Sequence, residues 1–345
     1  AIDGVATKGL ETAESSDRMK GKPGTTVNFK VLKAISGDTT EVAIVRERIH
    51  IPDVEYVGMV DDTTGYIRQS GFTDNVANDV KAGYFKLKEQ GMKRLVLDLR
   101  GNGGGLMNEA IGIVSLFLPK GTLVVTAKGN TPESVREYRT TAEPVDTEIP
   151  LIVLVDSGSA SSSEIVSGAI QDHDRGTIMG ERTFGKGLVQ TVKPIVYNGQ
   201  LKVTTAKYYT PSGRCVQAID YSHRNEDGSA GHIPDSLTHE FKTTHGRTVR
   251  DGGGITPDVK LEAPTYSRLV YSLVLNGIID RYAIKYAKQH DSIPELDSFH
   301  FTDEDFEDFV EFASTQEFDY RSSGETLFDQ MKKALEEDGL ADSMK

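Results

Sequence analysis

The sequence has little cysteine, no long apolar run and no excess of basic charge, and each shortage excludes a class of protein. Cys215 is the only cysteine among 345 residues, so neither an internal disulfide nor a cysteine-rich zinc site is available. No apolar run approaches the roughly 18 residues that would span a bilayer. With 39 basic against 52 acidic side chains, the chain also lacks the basic face that replaces counterions on a nucleic acid. The composition is otherwise that of an ordinary globular protein.

The negative charge is concentrated at the C-terminal end. Residues 291–345 contain 17 Asp and Glu against 4 Lys and Arg, which accounts for the whole formal net charge of −13. Residues 1–290 hold 35 acidic and 35 basic side chains and are therefore neutral. Phenylalanines interleave with the acidic residues, a pattern typical of an amphipathic helix that packs on something: Phe301, Phe306, Phe309, Phe312 and Phe318. The tail is thus a candidate docking or dimerisation module.

Strand and helix patterns alternate between about residue 56 and residue 262. Residues 94–100 and 150–155 are apolar runs of strand length, as expected for strands inside a parallel sheet. Each run leads through a short turn into a helical stretch, over 106–118 and 161–173. Two strand–turn–helix units in succession predict an α/β core with a mainly parallel sheet. The functional site is then expected at the two turns where these strands end.

Other patterns flank this core. Residues 1–48 predict a small α+β piece, with a helix over 12–19 followed by two alternating segments. After residue 180 the pattern becomes β, and Asn198-Gly199 between two alternating segments predicts a hairpin. Residues 220–254 are rich in Gly, His, Asp and Ser and predict a long exposed loop.

Two glycine-containing turns resemble nucleotide-binding motifs but depart from them. Residues 101–106 follow a strand and open a helix, yet Leu106 stands where a dinucleotide fingerprint needs a small residue. That turn still leaves backbone N–H groups at a helix N-terminus, where they could hold an anion or oxyanion, or it is a tight turn only. Residues 180–187 are one residue short of a phosphate-binding loop, because Gly187 replaces the Ser or Thr that ligates magnesium, and a strand pattern follows. Nucleotide binding is therefore not expected, but Lys186 between two glycines needs an explanation.

A serine cluster follows the second buried strand, at residues 157–163. Ser161 with Glu164 three residues later matches a capping box, so the cluster is either a helix cap or a cap that also exposes a hydroxyl near unpaired N–H groups. No Gly-x-Ser-x-Gly elbow and no His-Glu-x-x-His motif is present, and none of the eight histidines has triad-like surroundings. If this serine is a nucleophile, lysine remains as its base, as in the Ser–Lys variant of the triad.

These residues resemble a known peptidase family. Residues 159–165 and 180–190 are similar to the catalytic segments of the C-terminal processing peptidases, also called tail-specific proteases. Further matching motifs follow in the family's order, at residues 97–106, 208–214 and 253–258. Residues 1–48 resemble the second half of a PDZ domain, without the half that carries the carboxylate-binding loop.

The resemblance implies a site. Ser161 would be the nucleophile, Lys186 the general base, and Gln190 the residue that orients the lysine amine. The oxyanion hole would use the N–H of Ser162 and a glycine N–H from Gly104 or Gly105. Ser162 departs from the family, which usually has alanine there, but it keeps the N–H. A free lysine has a pKa of about 10.4, so a basic amine requires an environment that disfavours the ammonium form.

The resemblance also implies an architecture and a set of partners. The domains would be a partial PDZ domain (1–48), a catalytic domain (49–262) and an acidic helical extension (263–345). The core would be α/β and crotonase- or Clp-protease-like, with a mainly parallel sheet and β-rich additions. The substrates would be polypeptides held through their C-terminal segments, with no metal or other cofactor, and the extension could serve a homo-oligomer or an adaptor.

Two further expectations concern location and activity. The family implies the bacterial periplasm or cell envelope, although the chain opens at Ala1 without a visible export signal, as a processed protein or a fragment would. The alternative function is a catalytically silent member of the same fold that binds peptides or other ligands.

Overall fold

The structure, a computed structural model, describes residues 1–49, 52–224, 230–262, 265–295, 298–316, 318 and 320–338. The chain divides into two compact units, one formed by residues 51–263 and the other by residues 1–50 together with 264–345. Among the described residues, every helix is too short or too polar to cross a membrane.

The elements follow one another in this order. The first are α1 (Thr12–Met19), β1 (Thr26–Leu32), β2 (Thr39–Val45), β3 (Val54–Met59), β4 (Thr64–Gln69), α2 (Val76–Glu89), β5 (Arg94–Asp98), α3 (Met107–Ser115), β6 (Leu123–Lys128) and β7 (Arg136–Arg139). The next are β8 (Leu151–Val155), α4 (Ser162–Asp172), β9 (Thr177–Gly180), β10 (Leu188–Pro194), β11 (Gln200–Tyr209), β12 (Ile219–Arg224) and β13 (Ala230–His232). The last are β14 (Glu240–Lys242), β15 (Thr248–Arg250), β16 (Val259–Lys260), α5 (Arg268–Leu275), α6 (Ile278–Gln289), α7 (Asp303–Ser314) and α8 (Ser323–Glu337).

A six-stranded sheet organises the unit 51–263. Its strand order is β16-β9-β8-β5-β4-β3, and every neighbouring pair is parallel except β3 with β4. The two predicted buried strands, β5 and β8, are direct neighbours, with Leu97 opposite Val153. The expected α/β core with a mainly parallel sheet is confirmed, and the carboxyl ends of β5, β8 and β9 lie side by side.

The core forms where the helices cover this sheet. α2 buries an apolar stripe of Val76, Val80, Tyr84 and Leu87, and α4 is buried along its whole length. Burying one such aliphatic or aromatic side chain stabilises the fold by about 1.5–3 kcal/mol. Because α4 has no exposed face, its N-terminus is fixed in place, and that end carries the serine cluster.

A second sheet, ordered β10-β11-β6-β7, contains the predicted hairpin. The hairpin is confirmed, but its turn lies one residue earlier than expected. Tyr197 and Asn198, with φ of 58° and 56°, are its central residues, and the Gly199 N–H donates to the Val196 carbonyl at 3.2 Å. The N–H of Ile195 donates to the Gly199 carbonyl at 2.9 Å, so Gly199 closes the turn directly before β11 begins at Gln200.

The long loop predicted over 220–254 is replaced by short hairpins. β12 pairs with β13 and β14 pairs with β15, both antiparallel, while residues 225–229 lie outside the described part of the chain. Thr243 and Val249 of this segment are 5% and 8% exposed. Polar composition concealed the pairing, and β13, β14 and β15, with three residues each, show too little alternation to be recognised.

The unit of residues 1–50 and 264–345 is built differently. Its N-terminal part is α1 with the antiparallel pair β1–β2, and its C-terminal part contains α5 to α8. The helix predicted over 12–19 is present as α1. In the C-terminal part, Phe309 and Phe312 of α7 pack against Tyr282 of α6, with ring centroids 5.1 and 5.6 Å apart. Three of the interleaved phenylalanines, Phe306, Phe309 and Phe312, therefore belong to an amphipathic helix that packs on its neighbour, whereas Phe301 and Phe318 lie outside α7.

Candidate active site

Three turns at the carboxyl ends of β5, β8 and β9 form the candidate site. The Gly-rich turn (residues 99–106) follows β5, the serine turn (156–161) follows β8, and the lysine turn (181–187) follows β9. Hydrogen bonds join the first two turns: the Ser159 hydroxyl donates to the Leu99 carbonyl at 2.7 Å, and the Ala160 N–H donates to the Asn102 carbonyl at 3.0 Å. The Phe184 N–H donates to the Ser159 carbonyl at 3.0 Å, which joins the lysine turn to the serine turn.

Ser161 occupies an unusual backbone conformation at the N-terminus of α4. Its φ of 58° and ψ of −112° lie in a region that L-residues rarely adopt. Such strain costs on the order of 1–3 kcal/mol and persists only where the surroundings over-determine it. The sharp turn separates the Ser161 side chain from the strand before it and the helix after it.

Glu164 connects the serine turn to the lysine turn. This carboxylate is 0% exposed and accepts four hydrogen bonds. Its Oε2 accepts the N–H groups of Ser161 and Lys186, both at 2.8 Å. Its Oε1 accepts the Thr183 hydroxyl and the Gly185 N–H, both at 2.7 Å. Burial raises the pKa of Glu164, and these four donors oppose that rise. Glu164 thus makes its half of the predicted capping box by accepting the Ser161 N–H, and the same carboxylate also holds Lys186.

The two glycines beside Lys186 are explained by close packing. Gly185 has a φ of 84°, and a side chain there would come within 2.3 Å of the Ala218 Cβ. A side chain at Gly187 would come within 2.8 Å of the backbone nitrogen of Gln217, whose Oε1 accepts the Gly187 N–H at 2.8 Å. Only glycine fits on either side of the lysine, which answers the question that the sequence pattern raised.

Tyr208 of β11 also contacts both candidate residues. Its side chain is 1% exposed, and the single proton of its hydroxyl is shared between the Ser161 carbonyl, at 3.1 Å, and the Lys186 carbonyl. Glu164 holds the N–H groups of Ser161 and Lys186, and Tyr208 holds their carbonyl groups. The sequence pattern gave no indication of this contact, because Tyr208 alternates with its neighbours like any strand residue.

The Gly-rich turn lies directly against the nucleophile candidate. Gly104 has a φ of 92°, and a side chain there would come within 2.7 Å of the Ser161 Cβ. Its own N–H donates to the Asn102 Oδ1 at 2.9 Å, so it is already engaged. Among the hydrogen bonds of the described residues, the N–H groups of Gly105 and Ser162 have no acceptor. The Ser162 hydroxyl donates to the Gly105 carbonyl at 2.9 Å, which ties these two donors together.

The reactive side chains themselves are not joined. Within the described part of the chain, no hydrogen bond links the Ser161 hydroxyl, the Lys186 amine and the Gln190 side chain. Gln190 is exposed on β10, next to a bulge between Val189 and Gln190 that shifts the pairing with β11. A bulge re-aims the side chains that follow it. Catalytic contacts are often loose until a substrate is bound, so this geometry excludes none of the three roles.

Two ion pairs involve buried carboxylates at the ends of β5 and α4. Asp98 at the end of β5 is 0% exposed and accepts the Tyr66 hydroxyl and an Arg100 Nη2, both at 2.6 Å. Burial alone would raise the pKa of Asp98, but the hydrogen bonds from Arg100 and Tyr66 outweigh it and lower the pKa. Asp172 at the end of α4 pairs with Arg214 at 2.8 Å, and both side chains are 0% exposed. Arg100 is thus paired with Asp98, and Asp172 is paired with Arg214.

Cys215 has the surroundings of a structural residue rather than those of a nucleophile. Burial raises the pKa of the Cys215 thiol, which disfavours the thiolate that a nucleophile needs. No group of three or more His, Cys, Asp or Glu in the described residues could hold a metal ion.

Comparison with known proteins identifies the family. Residues 63–223 match peptidase family S41, and residues 269–345 match the C-terminal helical domain of a probable PDZ-protease. The chain is 40% identical over 222 residues to the carboxy-terminal-processing protease of Bartonella bacilliformis, which covers 63% of this chain and 50% of that protein. It is 39% identical over 224 residues to the carboxyl-terminal-processing protease of a Synechocystis species, over 64% of this chain and 51% of that protein.

A solved structure, the photosystem II D1 C-terminal processing protease, aligns with a TM-score of 0.47 and 28% identity over 77% of this chain and 64% of that one. Residues 63–223 thus match peptidase family S41, the matches support a serine-type peptidase, and the resemblance inferred from the motifs is confirmed. The chain spans about half the length of the curated relatives it matches.

Proposed function

We propose that this chain is a serine endopeptidase that cleaves polypeptides near their C-termini. Ser161 is the nucleophile, Lys186 the general base, and Gln190 orients the lysine amine during reaction. The observation that carries the proposal is the shared anchoring of Ser161 and Lys186: Glu164 accepts both N–H groups and Tyr208 donates to both carbonyls. This anchoring fixes the distance between the backbones of two turns that lie 25 residues apart in the sequence, as a dyad requires.

The reaction follows from this arrangement. The Ser161 hydroxyl attacks the scissile carbonyl carbon as its proton passes to the Lys186 amine. The oxyanion accepts hydrogen bonds from the N–H groups of Ser162 and Gly105, which have no acceptor among the hydrogen bonds of the described residues. Collapse of the tetrahedral intermediate breaks the peptide bond, and the lysine ammonium protonates the leaving amine. Water, deprotonated by the same lysine, then hydrolyses the acyl-enzyme.

The substrate, the location and the domain roles belong to the same proposal. Substrates are polypeptides presented through their C-terminal segments, and the reaction needs no metal or other cofactor. Residues 1–48 are part of a PDZ domain, 49–262 the catalytic domain and 263–345 the acidic helical extension, which joins copies of the chain or an adaptor. The protein works in the bacterial periplasm or cell envelope.

A catalytically silent ligand-binding protein is the second candidate. The observation that favours it is the missing hydrogen bond between the Ser161 hydroxyl and the Lys186 amine in the described structure.

One experiment separates the two candidates. The purified chain is treated with a fluorophosphonate, which reacts with activated serines, and in parallel is given an intrinsically disordered protein as substrate. We expect the label on Ser161 alone and fragments in the digest. A folded chain that takes no label and leaves the substrate intact would favour the ligand-binding candidate. The same assay on a longer form that carries a complete PDZ domain would show whether substrate recruitment limits the rate.

A further inference from the structure

The hydroxyl of Tyr208 lies between the two backbone carbonyls of the proposed dyad. It donates to the Ser161 carbonyl at 3.1 Å and to the Lys186 carbonyl. Tyr208 itself is fixed in β11, where its N–H donates to the Gly187 carbonyl at 2.9 Å, one residue beyond the lysine. The phenol is 1% exposed, so water does not compete for these carbonyls.

The two carbonyls depend on this hydroxyl to different degrees. The Ser161 carbonyl also accepts the N–H groups of Glu164 at 2.9 Å and Ile165 at 3.0 Å, as the first turn of α4 requires. For the Lys186 carbonyl, Tyr208 is the only donor among the hydrogen bonds of the described residues. Loss of the hydroxyl would therefore leave the Ser161 carbonyl with its helix donors, but the Lys186 carbonyl without any donor in the described part of the chain, so that the Lys186 backbone is held through its own N–H and those of the flanking glycines.

We propose that Tyr208 is a positioning residue that holds the lysine turn at a fixed distance from the nucleophile turn. The inference rests on the proposed function of Ser161 and Lys186. Tyr208 acts on their backbones and touches no reacting atom, so it affects the rate through the placement of the amine. Burial, followed by the nearby Glu164 carboxylate, raises the pKa of Tyr208 well above its usual value, so the hydroxyl remains a donor at every working pH.

The adjacent tyrosine supplies a matched control. Tyr209 points its ring at the Lys128 ammonium, 4.3 Å from the ring centroid, and its hydroxyl has no hydrogen-bond partner within the described residues. Tyr208→Phe and Tyr209→Phe thus remove the same atom at neighbouring positions of one strand.

The test compares the two variants with the wild-type chain in peptide hydrolysis and in fluorophosphonate labelling, with rates expressed per folded molecule from circular dichroism. We expect Tyr208→Phe to lower kcat and the labelling rate by about 10- to 100-fold, since a displacement of about 1 Å can cost ~10²-fold. KM should stay within about twofold, because substrate contacts are untouched. Tyr209→Phe should stay within about twofold in every measurement.

Two further measurements separate positioning from stability. The pH at which kcat is half-maximal should move in Tyr208→Phe by more than about half a unit, because the amine changes its surroundings; a loss of stability alone leaves it unmoved. Replacing Tyr208 with 4-aminophenylalanine keeps a donor at the same place and should restore kcat to within about fivefold of wild type, by the distance argument above. If Tyr208→Phe does not fold, the 4-aminophenylalanine variant still tests the inference.

The inference is overturned if folded Tyr208→Phe matches the wild type, or if the 4-amino variant is folded but as slow as the phenylalanine variant. A wild-type chain that neither labels nor cleaves would instead refute the proposed function.

Discussion

The two compact units of this protein place their polar groups differently. The unit 51–263 buries charged side chains completely: Glu164, Asp98, Asp172 and Arg214 are each 0–2% exposed. In the other unit, α7 and α8 contain no buried residue, and the ion pair of Lys285 with Asp308 lies partly in solvent, at 31% and 41% exposure. A buried charge is costly unless every partner is in place. Fully enclosed polar groups therefore mark where geometry is constrained by function, and exposed ones mark a replaceable surface.

The largest effect should follow removal of either reacting group. Ser161→Ala and Lys186→Ala should each lower kcat by about 10⁴-fold or more, as in other serine hydrolases that lose a nucleophile or base. The unfolding temperature should change little, because neither side chain makes a hydrogen bond among the described residues. Ser157→Ala and Lys193→Ala, at exposed positions of the same turn and of β10, are the controls. Full turnover in either active-site variant would rule out the dyad.

Glu164→Gln should have the next largest effect, since it challenges the enclosed network directly. The amide NH₂ would replace one carboxylate oxygen and would face the N–H donors that this oxygen now accepts. At least two hydrogen bonds would therefore be lost. We expect kcat to fall by about 100-fold and the free energy of unfolding by about 3 kcal/mol. Asp308→Asn in the other unit, which weakens the contact with Lys285, is the comparison and should leave hydrolysis unchanged. Equal behaviour of the two variants would contradict the distinction between the units.

Acid should destabilise the unit 51–263 by protonating a further carboxylate, Asp146. Burial alone would raise the pKa of Asp146, but hydrogen bonds from the Tyr84 hydroxyl, two backbone N–H groups and Lys88 outweigh it and hold the pKa well below its usual range. The stability from this depressed pKa is present above the unfolded value of about 3.9 and is lost as the pH falls through the folded value. Urea unfolding between pH 7 and pH 2 should show a steeper acid loss for wild type than for Asp146→Asn. Parallel curves would show that Asp146 is not the linked group.

The smallest effect is expected in the aromatic contacts of the helical unit. Phe309→Ala should lower the free energy of unfolding by about 1–2 kcal/mol, because the half-buried ring packs on Tyr282. Phe306→Ser, at a side chain that is 56% exposed, should change it by less than about 0.5 kcal/mol. Thermal unfolding of the two variants measures the difference. A larger loss for Phe306→Ser would indicate that something covers this face in solution.

The sequence predicts the strands and turns that form the site better than the side-chain contacts within it. The strands that become β5 and β8 were predictable from apolar runs, and the position of Gly104 and Ser161 at their ends followed from the topology of parallel sheets. Lys186, which follows β9, was assigned from the family resemblance. The contact of Tyr208 with both dyad carbonyls was not predictable, because it depends on how β11 crosses the lysine turn, a relation between residues far apart in sequence. The short hairpins after residue 219 were missed for a local reason, since strands of three residues carry almost no periodic signal.

The strained backbone of Ser161 has a consequence for how such a protein could change over generations. Glycine adopts a φ of 58° and ψ of −112° far more readily than serine does. A mutation of Ser161 to glycine would relieve the conformation and should stabilise the fold while ending the chemistry proposed for it. Selection for stability alone would thus favour glycine at this position, and the protein would lose the proposed activity. A serine that persists there is evidence of selection for something other than folding.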